Sequence, residues 1–173
     1  MERNQNPAKH TLGLIRATEP AMRYRGGDFE KWQKDAREKL IELLGMPAPA
    51  KDDALLIEYE KDEETYHETR FTFRSEEGYF VPAHLLVPKS AKGKVPVAIC
   101  LQGHSRGMHI SLGRPKYPGD EADISGGDRD FAVGALEKGF AALAIEQRGM
   151  GECGGTERGP ACQLHTMANL LIG

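Results

Sequence analysis

The chain is poor in cysteine, has no long apolar run and carries no excess of basic charge. Its three cysteines, Cys100, Cys153 and Cys162, are too few and too irregularly spaced for a disulfide framework, so a reducing cytoplasm is the expected compartment. None stands in the C-x-x-C spacing that zinc sites favour, and Cys153, Cys162 and His165 form no tight metal signature. No metal and no cofactor is expected. No stretch approaches the roughly 18 apolar residues that a membrane helix requires. Residues 1–10 are polar and include Glu2, so they lack the apolar core of a secretory signal. With 23 basic against 26 acidic residues the net charge is −3, which suits neither a phosphate-tracking surface nor a nucleic-acid partner. Internal repeats and low-complexity tracts are also absent.

What remains is a soluble globular composition, 39% hydrophobic and 28% charged. A length of 173 residues suffices for one domain and is short for two. The first 27 residues are punctuated by Pro20 and Gly26–Gly27 and read as an arm rather than a core element. Asp28 is a fitting N-cap for 29–44, where Phe29, Trp32, Ala36, Leu40, Leu43 and Leu44 recur at helical spacing. Gly45 and Pro47 stop that amphipathic helix. Residues 1–53 thus form an arm and helix, and 54–173 the main domain.

Beyond the linker 47–53 the period changes to that of strands, at 55–60, 66–74 and 79–87, with a turn at 75–78 making the last two a hairpin. Pro82 within the third run predicts an edge position or a bulge. Runs 95–101 and 140–145 are continuously apolar, the pattern of strands covered on both faces. A helix at 129–138, closed by Gly139, lies between them, so the two strands should be parallel. The connecting loop, 102–128, is long enough to suggest a functional role. Its acidic residues Asp120, Glu121, Asp123, Asp128 and Asp130 fit a solvated loop face and a helix N-terminus. A last helix spans 162–171.

Two motifs invite a chemical assignment that their context does not support. Gly103-His104-Ser105-Arg106-Gly107 matches the G-x-S-x-G of a nucleophile elbow, which needs a helix directly after the serine. Here Gly113, Pro115, Pro118 and Gly119 follow, and a helix through them would lose roughly 1 kcal/mol per Gly and about 3 per Pro. Ser105 is therefore a weak nucleophile candidate. Gly149-Met150-Gly151-Glu152-Cys153-Gly154 has the form G-x-G-x-x-G, but Gly155, Gly159 and Pro160 delay the helix that a dinucleotide site requires.

Taken as a pair, the two loops carry more. Leu101-Gln102-Gly103-His104 ends the first buried strand, and Glu146-Gln147-Arg148-Gly149-Met150-Gly151-Glu152-Cys153 ends the second. This pairing resembles the α/β-hydrolase superfamily, whose third strand ends in a His-Gly type loop and whose fourth ends in a pattern like D-x-R-G-x-G-x-S. Glu146 occupies the Asp place and Cys153 the Ser place, while Arg148, Gly149 and Gly151 match; Gln102 stands where the family often has His. Within the superfamily the chain looks most like the acetyl xylan esterase, cephalosporin-C deacetylase and dienelactone hydrolase-like group, from about Asp28 onward. The resemblance implies an α/β fold: the N-terminal part of an α/β-hydrolase sheet, with an antiparallel hairpin start and then a parallel βαβ unit, preceded by an amphipathic helix.

The resemblance also implies roles. Backbone N–H groups at Gly103 and His104 would face a developing oxyanion, Gly103 allowing close approach. Glu146, Arg148, Gly149 and Gly151 would build the structural loop, with Arg148 a buried guanidinium that Glu146 could pair with. From their placement and not from the resemblance, His109 in the long loop would line a pocket, and His165 on the last helix would be a surface or packing residue. The family's Ser, acid and His follow later in chain order, so none of the triad is expected within these residues. The strand 95–101 is then an exposed apolar edge, and the apolar end 169–173 lacks a partner. The expectation is the N-terminal portion of a serine esterase-type hydrolase, inactive alone. Its substrate is a small ester or acylated carbohydrate, and a partner chain or self-association would complete the sheet. The alternative is a non-catalytic α/β module that binds a partner or ligand through the long loop and open edge. Neither implies a membrane.

Overall fold

The computed structural model describes residues 6–45, 50–52 and 54–172, with side chains up to 167. The linker 47–53, its Pro47 stop and the apolar side chains of 169–173 lie largely or wholly outside the described residues. The chain divides into two units, Met1–Met46 and Pro47–Gly173.

Among the described residues the first unit holds two helices, α1 (Pro7–Ala17) and α2 (Phe29–Leu44). The arm expected over 1–27 is thus partly helical. The start signal is local: the Asn6 side chain accepts from Ala8 and Lys9 N–H, and Pro7 sits where no donor is needed. α2 begins as predicted, with the Asp28 carboxylate accepting from Lys31 N–H at 3.0 Å, and ends at Gly45 with φ +54°. Between the helices, Tyr24, Phe29 and Trp32 cluster with ring centroids 5.1–5.5 Å apart, and Trp32 Nε1 donates to the Met22 carbonyl.

The second unit is a mixed α/β structure around a five-stranded sheet. Strands β1 (Leu55–Asp62), β2 (Tyr66–Glu76) and β3 (Tyr79–Pro88) form an antiparallel meander. β4 (Val97–Cys100) and β5 (Ala141–Ile145) are parallel, as the crossover predicts, and the order is β1-β2-β3-β5-β4. Among the described residues three α-helices and a short 3₁₀ helix complete the unit: α3 (Asp120–Ser125) inside the long loop, α4 (Phe131–Glu137) between β4 and β5, α5 (Cys162–Ile172), and the 3₁₀ turn Gly151–Cys153.

Pro82 lies in a central strand, not at an edge or bulge. Its carbonyl accepts from Glu146 N–H at 3.0 Å, and Glu146 follows the last residue of β5. In an antiparallel ladder a residue's N–H and C=O point to the same neighbour. The donor that proline lacks therefore faces the Glu146 carbonyl, one residue past the end of β5, so the loss is confined to a single bond at the end of the ladder.

One sheet face is closed by α4 and the long loop. Leu86, Cys100, Leu112, Ala132, Ala142 and Ala144 form its core, with Tyr66, Ala135 and Leu136 packed against them. Ala142 and Ala144 are small enough to let α4 settle on β5. The opposite face is open at β4, where Val97 is 52% and Ile99 63% exposed. The continuous apolar run predicts cover on both faces; among the described residues β4 has cover on one, the side where α4 packs, and no described helix lies over the other. Leu86 is 1% exposed at the centre of the covered face. Leu86→Ala should cost about 2–5 kcal/mol of unfolding free energy, read by urea denaturation.

Candidate active site

β4 and β5 both deliver their C-terminal loops to one end of the sheet, and a carboxylate joins them. Glu146 is 2% exposed. Its Oε1 accepts Met108 N–H at 3.0 Å from the β4 loop, and its Oε2 accepts Glu152 N–H at 3.3 Å from its own loop. Burial pushes its carboxyl above the ordinary value, against the pull of those two N–H groups. The Gln147 side-chain amide donates to the Gln102 carbonyl and makes a second tie.

Glycine is required where the loops meet. Gly151 has φ +40°, and a Cβ there would lie 2.1 Å from Glu146 Oε2. Gly107 has φ +145°, and a Cβ there would lie 2.9 Å from Gly151 Cα. Gly149, at φ +80°, passes within 3.0 Å of Cys162 Cα by the same measure.

Gly103 and His104 sit exposed at the tip of the β4 loop. Among the described residues their N–H groups donate to no protein acceptor. Nothing lies within 4 Å of a Cβ built on Gly103, so close approach is not forced by this chain's own atoms. His104 Nδ1 lies 3.3 Å from Cys162 Sγ. Ser105 Oγ is 3.5 Å from Gln102 Oε1 and accepts Gly107 N–H at 3.4 Å. No described imidazole reaches Ser105, and the chain after it turns rather than entering a helix.

Arg148 departs from expectation twice. It pairs with Glu76 rather than Glu146, and it lies over the Tyr79 ring at 4.4 Å. Its side chain is 35% exposed, so it clamps the β5 loop to the β2–β3 hairpin from the surface. Asp120 departs the other way. It is fully buried, not solvated, because the long loop folds back on it. It accepts Lys116 and Tyr117 N–H at 2.8 Å and meets His109 Nε2 at 3.0 Å and Arg106 Nε at 2.8 Å. Burial alone would raise its carboxyl, but these donors hold it below the ordinary value. His165 is half-buried against Gly149 and Gly154.

The Abhydrolase family model matches residues 12–171. The chain belongs to the Abhydrolase family. A crystal structure from Bacteroides fragilis, of a protein provisionally named as an acetyl xylan esterase, shares the fold with a TM-score of 0.69 at 23% identity. The match covers 90% of this chain and 41% of that one, so this chain spans well under half the length of its structural neighbour. No curated protein matches the chain.

In this abhydrolase chain the sheet's covered face also buries an ion network that sequence inspection missed. Glu68, 1% exposed, accepts Tyr59 OH at 3.1 Å and Arg114 Nη1 at 2.9 Å and meets His84 Nδ1 at 2.6 Å. Arg70 donates from Nη2 to Glu152 at 2.7 Å, from Nε to Glu58 at 3.0 Å and from Nη1 to His84 Nε2 at 2.9 Å. Arginine only donates, so His84 Nε2 accepts and its proton resides on Nδ1, facing Glu68. Burial lowers the His84 imidazole from its ordinary value, consistent with the neutral ring. With Nε2 occupied, this carboxylate–imidazole pair cannot serve as a general base. The network lines a cavity of about 370 Å³ with Tyr59, Arg70, His84, His109, Arg114 and Glu152.

Two measurements check these assignments. Burial would push the Glu68 carboxyl up, but Arg114 and His84 outweigh it and hold it at about 2, below its ordinary 4.5. A depressed carboxylate contributes stability that is complete above the ordinary value and lost as pH falls towards 2. Unfolding free energy should drop between pH 4.5 and 2. Glu68→Gln should cost about 3–5 kcal/mol at neutral pH and flatten that acid limb; an unchanged limb would contradict the network. Separately, Gly151→Ala should lose more than about 2 kcal/mol in thermal unfolding. Gly103→Ala, with open space around it, should stay within about 0.5 kcal/mol.

Proposed function

We propose that this chain supplies the oxyanion-binding part of a serine esterase-type hydrolase acting on carboxylic esters, acetyl esters among them. The observation that carries it is the pair of exposed N–H groups at Gly103 and His104. They have no protein acceptor among the described residues, and they stand at the C-terminal end of β4 on a loop tied through Glu146. Attack on an ester carbonyl places negative charge on its oxygen, and a preorganised N–H aimed at that oxygen is worth roughly 3–4 kcal/mol in the transition state. Family membership and the named neighbour support ester chemistry for the whole protein.

The nucleophile, acid and base belong, on this proposal, to residues outside these 173. Ser105 has neither a base nor an elbow. The substrate is a small ester or acylated carbohydrate. Three free thiols fit a reducing compartment, and we place the protein in the cytoplasm. Among the described residues no helix is long and apolar enough to cross a membrane. One observation favours a second proposal, a non-catalytic binding module: Val97, Ile99 and Leu101 leave the β4 face open to another segment.

The gene beyond the codon for Gly173 and an ester assay separate the two. A G-x-S-x-G flanked by strand and helix within about 60 residues is the expected finding. In the protein carrying it, His104→Pro removes one donor and should lower kcat on 4-nitrophenyl acetate by about 10²–10³. Ser105→Ala should leave that rate within about twofold. Undiminished turnover in His104→Pro, or loss of turnover in Ser105→Ala, overturns the oxyanion assignment. Absence of any downstream elbow favours the binding module.

A further inference from the structure

The three cysteines occupy three different environments. Cys100 ends β4 in the core, 4% exposed, and burial pushes its thiol up. Cys153 closes the 3₁₀ turn Gly151–Cys153, and burial pushes its thiol up as well. Cys162 is half-buried as the first residue of α5, with His104 Nδ1 3.3 Å from its sulfur across the gap between two loops. The imidazole is exposed. A nucleophile and a base within hydrogen-bond reach, open to solvent on one side, are the elements of thiol activation.

We propose that Cys162 is a covalent-modification site for small disulfides, with His104 as its base. His104 Nδ1 takes the thiol proton, which requires the tautomer with hydrogen on Nε2. The Cys162 sulfur attacks one sulfur of the disulfide, whose S–S bond breaks. The departing thiolate carries away the proton that His104 held. The protein finishes as a mixed disulfide and half of the reagent as a free thiol, so the small disulfide is the oxidant. His104 lends its side chain to this chemistry and its backbone N–H to the proposed oxyanion loop. An adduct on Cys162 would stand against that loop; this consequence rests on the proposed esterase role, whereas the thiol reaction does not.

The test treats the intact chain with dipyridyl disulfide and follows each cysteine by peptide mass mapping after quenching. Cys162 should react at least about tenfold faster than Cys153 and Cys100. His104→Gln should slow Cys162 at least about fivefold while leaving Cys153 unchanged. Buried Cys100 reports folding, since it stays unmodified as long as the sheet is intact. If His104→Gln exposes Cys100, the ranking in the unmutated chain decides alone. Equal rates at Cys153 and Cys162, or a Cys162 rate untouched by His104→Gln in a folded chain, overturn the proposal. Since the readout is labelling and not ester turnover, its failure leaves the esterase reading standing.

Discussion

Glu146 follows the last residue of β5 with a carboxylate that solvent barely reaches, and each of its oxygens accepts a backbone N–H from a different loop. Everything at this end of the sheet depends on that bracket. The β4 loop cannot lift without leaving one buried carboxylate oxygen without its donor, a loss on the order of 1–3 kcal/mol. The bracket also dictates composition nearby. Gly107 and Gly151 are glycine because a side-chain carbon at either would enter the space that the carboxylate and the facing backbone occupy. An aspartate here, one methylene shorter, would reach less far. The longer Glu146 spans to Met108 and Glu152 together.

The face beneath α4 is apolar near β4 and ionic near β2. Buried ions are costly unless every donor and acceptor is used. Glu68 meets three partners and Arg70 three, drawn from β1, β3, the long loop and the 3₁₀ turn. Asp120 performs the same service inside the long loop, binding Arg106 and His109 around itself. A long connection with little regular structure is thereby held by directional contacts, which restrict its geometry more tightly than apolar burial would.

Much of the scaffold was legible. α2, the hairpin, the parallel pair and α4 follow from caps, turn glycines and hydrophobic period, all of which act within a few residues. α1 was equally local, announced by Asn6 and Pro7, and the proline and glycines of its surroundings obscured it. The Glu146–Arg148 pairing failed for a different reason. Proximity in sequence suggested it, but side chains two apart near a strand end share a direction only while the strand continues, and Arg148 turns instead to Glu76, 72 residues away. Asp120 failed likewise, since an acidic residue in a polar loop reads as solvated until the loop is seen to close over it.

The sequence by itself determined the kinds of element, their order and the family signature in the two loops, because capping, periodicity and glycine placement are short-range. Only the tertiary structure decided which face of β2 is buried. Alternation in 66–73 offers Phe71 and Phe73 as the inward set, yet Glu68 and Arg70 are the buried ones. Their charges are tolerable inside only beside Arg114, 46 residues on, and Glu152, 82 residues on. No local pattern records that compensation, because the desolvation cost and the partners that offset it are set by contacts that exist only once the loops have folded back.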